Sequence, residues 1–290
     1  MPDVIYLNGR RVARAEACIS IDDRGFLFGD AVYDVLRAYH GRLWAADRHF
    51  RRLARNLAEV EIEGVDLTEL ETLARQATAE SGYEDANVYV HVSRGEEPRK
   101  LVYGDGLTPT ALIIVRDTAQ LVSPDYGRGV AAVTRPDLRW RRCDIKSTNL
   151  LANSLARKAA RRAGAYEAIL YDEAGYITEA AAMSVFGAEG GVLYTRPTGP
   201  EILPSVTREF ILEIASELGI PVRLEAIARS RLPHMEEIFL SSTNHEVCPV
   251  VTLDGASVGD GAVGRVSGRL LERFRERIAA GADRPPAGRT

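Results

Sequence analysis

The stretch RWRRCDIKSTNLL, Arg139 to Leu151, carries Lys146, the sole lysine between Lys100 and Lys158 in a chain that otherwise favours arginine. Lysine is the side chain that forms Schiff bases with carbonyl cofactors. It does so well when burial or a nearby charge brings its pKa below about 10.4. A pyridoxal phosphate site needs two more parts, an acid for the ring nitrogen and a phosphate cradle, usually at a helix N-terminus. Glu179 enters the nearly uncharged run GYITEAAAMSVF, where a buried acid requires a partner. LPSVTREF sets Ser205, Val206 and Thr207 at a helix start, and FLSSTNHE sets Ser242 and Thr243 in a hydroxyl-rich turn after a strand. Taken singly, these residues also read as a surface lysine, a strand-end acid and an ordinary N-cap. Their joint occurrence in this order points to one cofactor.

The elements that must position these residues are legible as patterns. VIYLNGRRVA is a hairpin around Asn8-Gly9. FLFGDAVYDVLRAYHGRLWAA reads as strand-like alternation turning at Gly41. Asp47 caps a helix with Phe50, Leu53, Leu57 and Val60 on one face, and Thr68-x-x-Glu71 opens a second that stops at Gly82. NVYVHVSRG and TALIIVRD are strands. Beyond the polar stretch 119–128, read as a linker between domains 1–118 and 129–290, GVAAVTRPDLRW is extended. A helix follows from near Asn149, with Leu150, Leu151, Leu155, Ala159 and Ala163 at helical spacing and Gly164 as its stop. EAILYD, YITEAA and SVFGAEGGVLYT form a meander. Helices span Ser205 to Leu218 and about Arg265 to Ala280, with the strands EIFLSST and VVTLDGASV between them. Strands and helices mix without strict alternation, which predicts an α+β fold.

Other chemistries find no support. The chain has 290 residues, 46% hydrophobic and 27% charged, with net charge −4, an ordinary globular composition with no reason to bind nucleic acid. No apolar run is long enough to span a membrane, the first residues do not read as a secretory signal, and Cys18, Cys143 and Cys248 are odd in number and far apart. A reduced, cytoplasmic protein is expected, and residues 281–290 read as a frayed tail. The five histidines lack zinc-ligand spacing, so no metal site is expected. GDGAVG, Gly259 to Gly264, matches a dinucleotide-binding pattern, but it follows a hairpin and no strand comes after its helix.

At these residues the sequence resembles the fold-type IV, or class IV, pyridoxal-phosphate aminotransferases, and among them the D-amino acid aminotransferase branch. DRGFLFGDAVYDV is similar to that branch's D-R-G-x-x-F-G-D-G-V-Y-E-V, with Ala31 for Gly and Asp34 for Glu, and LRWRRCDIKSTNLL to its lysine motif. The resemblance runs from YLNGRRV to the final helix. It implies that Lys146 is the Schiff-base lysine and proton shuttle, that Glu179 meets the pyridine nitrogen, and that Leu203 lies under the ring. It assigns Arg52, Val206, Thr207, Ser242 and Thr243 to the phosphate, and Tyr33 to the substrate side.

The resemblance also implies a two-domain α+β fold with the cofactor between the domains and Lys146 carried by the C-terminal one. It further implies a homodimer in which the Arg99 loop reaches the neighbouring site. The reaction would be amino transfer from a D-amino acid such as D-alanine to a 2-oxo acid such as 2-oxoglutarate or pyruvate. Two departures stand out. AAAMSVF replaces a more polar run after the acid. EEPRKLVY keeps Arg99, expected with Lys100 among the substrate-binding residues, but has Leu101 where the branch has the histidine that helps trap the substrate carboxylate. That leaves room for (R)-amines, which lack a carboxylate. An (R)-selective amine transaminase and a branched-chain L-amino acid aminotransferase are the alternatives.

Overall fold

The computed structural model describes residues 3–120, 128–281 and 283. Most of the expected linker, residues 121–127, and most of the expected tail lie outside the described residues. Two compact units result. One comprises Met1–Val122 with Ile145–Asn149, the other Ser123–Asp144 with Leu150–Thr290.

In the first unit, β1 (Val4–Leu7) and β2 (Arg10–Val12) form the expected hairpin. Asn8 and Gly9 both take positive φ, 50° and 77°, as a tight two-residue turn requires. The next segment differs from expectation: Arg24–Phe28 is a short helix, α1, not a strand. Asp23 accepts the Gly25 N–H and Gly29 ends the helix in the left-handed region, and these caps outweigh the apolar pattern of Phe26 to Phe28. There follow β3 (Ala31–Tyr39), β4 (Arg42–Leu43), α2 (Ala46–Glu59), α3 (Leu67–Ser81), β5 (Ala86–Ser93) and β6 (Thr110–Asp117). The strands make an antiparallel sheet in the order β2-β1-β6-β5-β3-β4. Phe50, Leu53 and Leu57 of α2 bury their expected face in the same core as Val32, Leu36 and Val90. Two caps are displaced: Asp47 sits in the first turn of α2 behind Ala45, and Asp66 caps α3 by accepting from Thr68 and Glu69.

The second unit contains β7 (Val130–Pro136), α4 (Leu151–Arg162), β8 (Glu167–Tyr171), β9 (Ile177–Ala180), β10 (Ser184–Glu189) and β11 (Val192–Thr195). After them come α5 (Val206–Glu217), β12 (Val222–Leu224), β13 (Glu237–Ser242), β14 (Glu246–Leu253), β15 (Ala256–Ser257) and α6 (Arg265–Ala279). Its mixed sheet runs β12-β11-β10-β13-β14-β7-β8-β9, with β15 paired to β14. Phe186 and Phe239, opposite each other on β10 and β13, stack with centroids 4.8 Å apart in the core. The GDGAVG stretch has no role for a bound anion. The first amides of α6, at Val266 and Ser267, already donate to the Glu237 carboxylate. Among the described residues, no helix is long and apolar enough to cross a membrane.

The lysine segment corrects the sequence expectation. Ile145–Asn149 belongs by its contacts to the first unit, not to the C-terminal one. β4 pairs only with Ala38 and Tyr39, so the first half of β3 has a free edge on that side. The lysine segment takes it, and an edge with unpaired N–H and C=O groups is a site for such capture.

Candidate active site

The backbone around Lys146 is held by main-chain bonds to β3. Val32 and Ser147 form a bridge, Tyr33 N–H donates to the Lys146 carbonyl at 3.0 Å, and Thr148 N–H donates to the Ala31 carbonyl at 3.1 Å. Gly29 permits this closeness: its φ is +67°, and a Cβ there would lie 2.4 Å from Asn149 Oδ1. Lys146 is half-buried, and its Nζ stands 4.3 Å from the centroid of the Tyr33 ring. Among the described residues no carboxylate pairs with it. Tyr33 packs in turn on Tyr89, at 5.5 Å between centroids, and faces His91 across β5.

Next to Tyr33 lies a fully buried ionic cluster. Asp34 accepts from Arg52 at both oxygens, Nε to Oδ2 and Nη2 to Oδ1, each 2.8 Å, and His49 Nδ1 is 2.8 Å from Oδ1. Burial would raise the Asp34 pKa, but Arg52 and His49 outweigh it and hold the carboxyl well below the usual range. Burial also lowers His49, with Asp34 opposing. Arg52 therefore has one edge of its guanidinium fixed by a permanent anion, which aims the rest of the group. Asp34 and His49 carried no separate signal in the sequence; their partnership depends on β3 and α2 packing together.

The Arg99 loop is anchored by Arg24. Nε of this buried side chain donates to Asp30, Nη1 to Glu97 and to the Lys100 carbonyl, and Nη2 to the Leu101 carbonyl, at 2.8–3.2 Å. Glu97 also pairs with Lys100 Nζ at 2.8 Å, so the Lys100 charge is already partnered. Arg99 itself is exposed and lies 5.4 Å from the Phe28 ring centroid. Leu101 is 81% exposed.

In the second unit, Glu179 sits on β9 and is 7% exposed. Its Oε1 accepts from Arg139 Nη1, and its Oε2 accepts from the Leu203 N–H at 3.2 Å. Arg139 is clamped by Asp137 through Nε at 2.9 Å and Nη2 at 2.7 Å, and Thr178 donates to the same Asp137 carboxylate. Burial would lower the Arg139 pKa, yet Asp137 and Glu179 drive it above its ordinary value. Burial of Asp137 is outweighed likewise, and its carboxyl lies below the usual range. The partner that a buried Glu179 needs is thus partly inside the protein. In the sequence Arg139 opens the lysine stretch and Asp137 lies in the extended run before it, with no sign that Arg139 pairs with Glu179.

Of the residues expected to hold a phosphate, Val206 and Thr207 fall at the start of α5, and Ser242 and Thr243 at and just past the end of β13. Ser205 caps α5 by accepting the Arg208 N–H at 3.2 Å. That leaves the first amides of the helix, at buried Val206 and Thr207, with no acceptor among the described residues. α5 packs on β13, which ends at Ser242 and leads into Thr243. Beside this end, the hydroxyls of Ser184 and Ser241 face each other across β10 and β13, buried and without a partner among the described residues.

Residues 31–253 match the family model for class IV amino-transferases. A D-alanine aminotransferase of Bacillus licheniformis is 38% identical over 90% of this chain and 92% of its own length. One from Listeria monocytogenes is 36% identical over 94% and 96%. This chain belongs to the class IV aminotransferases. Its fold is also that of a solved Escherichia coli branched-chain amino acid aminotransferase, with a TM-score of 0.90, 26% identity, and coverage of 99% and 97%.

The residues present fit the pyridoxal phosphate on which class IV aminotransferases depend. Among the described residues there are an amine without an ion-pair partner, a buried carboxylate held by a cation, and a helix start whose first amides lack acceptors. Each matches one part of that cofactor: the amine its aldehyde, the carboxylate its ring nitrogen and the free amides its phosphate.

Proposed function

We propose that this class IV aminotransferase moves the amino group from a D-amino acid, D-alanine among them, to a 2-oxo acid. The observation that carries the reading is Lys146: a half-buried amine over the Tyr33 ring, without a carboxylate, in a chain similar over most of its length to D-alanine aminotransferases. When bound, pyridoxal phosphate supplies the aldehyde that takes up the amino group and a ring that accepts carbanion charge. Lys146 holds the cofactor covalently at rest and carries the proton from the substrate α-carbon. Glu179, fixed by Arg139, keeps a proton on the ring nitrogen, and the Leu203 side chain supports the ring. The Val206 and Thr207 amides, the Ser242 and Thr243 hydroxyls and the guanidinium of Arg52 bind the phosphate. Tyr33 lines the substrate side.

Arg99 reads the substrate carboxylate and Lys100 does not, because Glu97 already holds it. Initial rates with D-alanine, L-leucine and (R)-1-phenylethylamine, each with 2-oxoglutarate, test the proposal. D-Alanine should be the best donor of the three, and a preference for L-leucine would overturn the reading. Arg99→Ala should raise KM for D-alanine by about tenfold, or about 1.4 kcal/mol, and barely change the rate with the amine. Equal losses on both donors would mean that Arg99 only supports its loop.

The enzyme acts as a homodimer. The apolar face of α4 is turned outward: Leu151 is 74% and Leu155 59% exposed, and of its side chains only Ala160 is buried. Leu138, 82% exposed, extends the second unit's apolar surface, and the first unit leaves Phe26, Leu101 and Val102 exposed. Light scattering should give about twice the chain mass of 31.8 kDa. Leu151→Glu together with Leu155→Glu should shift the protein toward that single mass. A wild-type monomer at micromolar concentration would refute the dimer.

A further inference from the structure

Ser242, at the end of β13, is one end of a short hydrogen-bonded chain. Its Oγ lies 3.0 Å from His245 Nδ1, and the other ring nitrogen, Nε2, lies 2.5 Å from the Tyr166 hydroxyl. His245 is buried, 6% exposed, with its ring edge-on to that of Tyr166. Its backbone N–H donates to the Ser242 carbonyl at 3.1 Å, so the turn and the ring are tied together. Tyr166 is anchored separately, its N–H donating to Ala131 on β7 at 2.8 Å. Burial raises the Tyr166 pKa, with Arg157 opposing, so the phenol keeps its proton.

A neutral imidazole has one N–H and one lone pair in its ring plane, so this chain has two possible directions. With the proton on Nε2, Ser242 must give its own hydrogen to Nδ1 and has none for a ligand. With the proton on Nδ1, Tyr166 donates to Nε2, Nδ1 donates to Ser242, and the Ser242 hydrogen is released toward an acceptor at the turn. We infer that Tyr166 and His245 are positioning residues for the cofactor phosphate, forming a relay that supplies Ser242 as a hydrogen-bond donor. A phosphate oxygen, which can only accept, selects the second direction. The inference rests on the proposal that Ser242 binds that phosphate, and it assigns a task to two residues outside the cradle.

The dissociation constant of the full-length apoprotein for pyridoxal phosphate, titrated by absorbance or tryptophan fluorescence, tests the relay without any assay of turnover. Ser242→Ala and His245→Leu should each weaken binding by roughly tenfold, and Tyr166→Phe by roughly threefold. The double variant Ser242→Ala/His245→Leu should bind no more weakly than Ser242→Ala, because His245 acts only through that hydroxyl. His245→Asn, whose amide N–H can stand in for Nδ1–H, should recover most of the loss, whereas His245→Gln should not. Multiplying losses in the double variant, or unchanged binding in His245→Leu, would overturn the relay and leave His245 as a brace for the turn. Unchanged binding in Ser242→Ala would instead remove the phosphate assignment beneath it. Should His245→Leu fail to fold, the contrast between His245→Asn and His245→Gln decides; equal binding by those two overturns the relay.

Discussion

Lys146→Ala should lower transamination by on the order of 10⁴-fold or more, because in its proposed role Lys146 supplies both the covalent hold on the cofactor and the proton carrier at the substrate α-carbon. The fold should survive. The segment is anchored by main-chain bonds through Tyr33, Thr148 and Ala31, none of which uses the lysine side chain. Removing an amine without an ion-pair partner also leaves no orphaned carboxylate behind. Thermal unfolding of the apoprotein should therefore move by a few degrees at most, while steady-state rates with D-alanine fall to background. In the wild type, borohydride reduction should leave the cofactor irreversibly attached to the peptide containing Lys146. Multiple turnovers by the variant, or a label on another lysine, would sink the assignment.

Glu179→Gln should slow the chemical step by roughly 10²–10³-fold, the scale seen when preorganised electrostatic stabilisation is removed. In the proposed role the carboxylate would keep the ring nitrogen protonated only while it is charged, and an amide could not do so. Arg139 does not fill the gap, since it is a cation whose Asp137 clamp persists in the variant. The amide oxygen can still accept the Leu203 N–H, so the backbone at Leu203 should keep its place. Cofactor affinity should accordingly change far less than the rate. Single-turnover absorbance with D-alanine separates the two, and an unchanged rate constant with intact binding would remove Glu179 from its role.

The parts of the enzyme were legible where the signal was local. Asn8-Gly9 is a hairpin turn by the backbone freedom of its own residues. The N-terminus of α5 is marked by Ser205, a residue type suited to capping, and any helix start leaves free amides. Lys146 stood out as a lysine in an arginine-rich chain, within a run similar to a family motif. These are properties of a few consecutive residues, which is why α5, β5 and β6 appear almost as expected.

The tertiary structure decided what lies between those parts, because pairings across the chain leave no periodic trace. Arg139 meets Glu179 across 40 residues, and Arg24 meets Glu97 across 73. Neither partner is chosen by spacing; buried charges find each other because desolvation makes an unpaired one too costly. The Asp34, His49 and Arg52 cluster arises in the same way where α2 packs on β3. The short helix at Arg24–Phe28 shows the limit even of local reading, since its apolar residues fit a strand equally well until the Asp23 cap and left-handed Gly29 are seen in place. Lys146 itself came from the sequence, but its attachment to β3 did not. That followed from a two-residue β4 that leaves half an edge unpaired, and main-chain groups at such an edge must find partners somewhere.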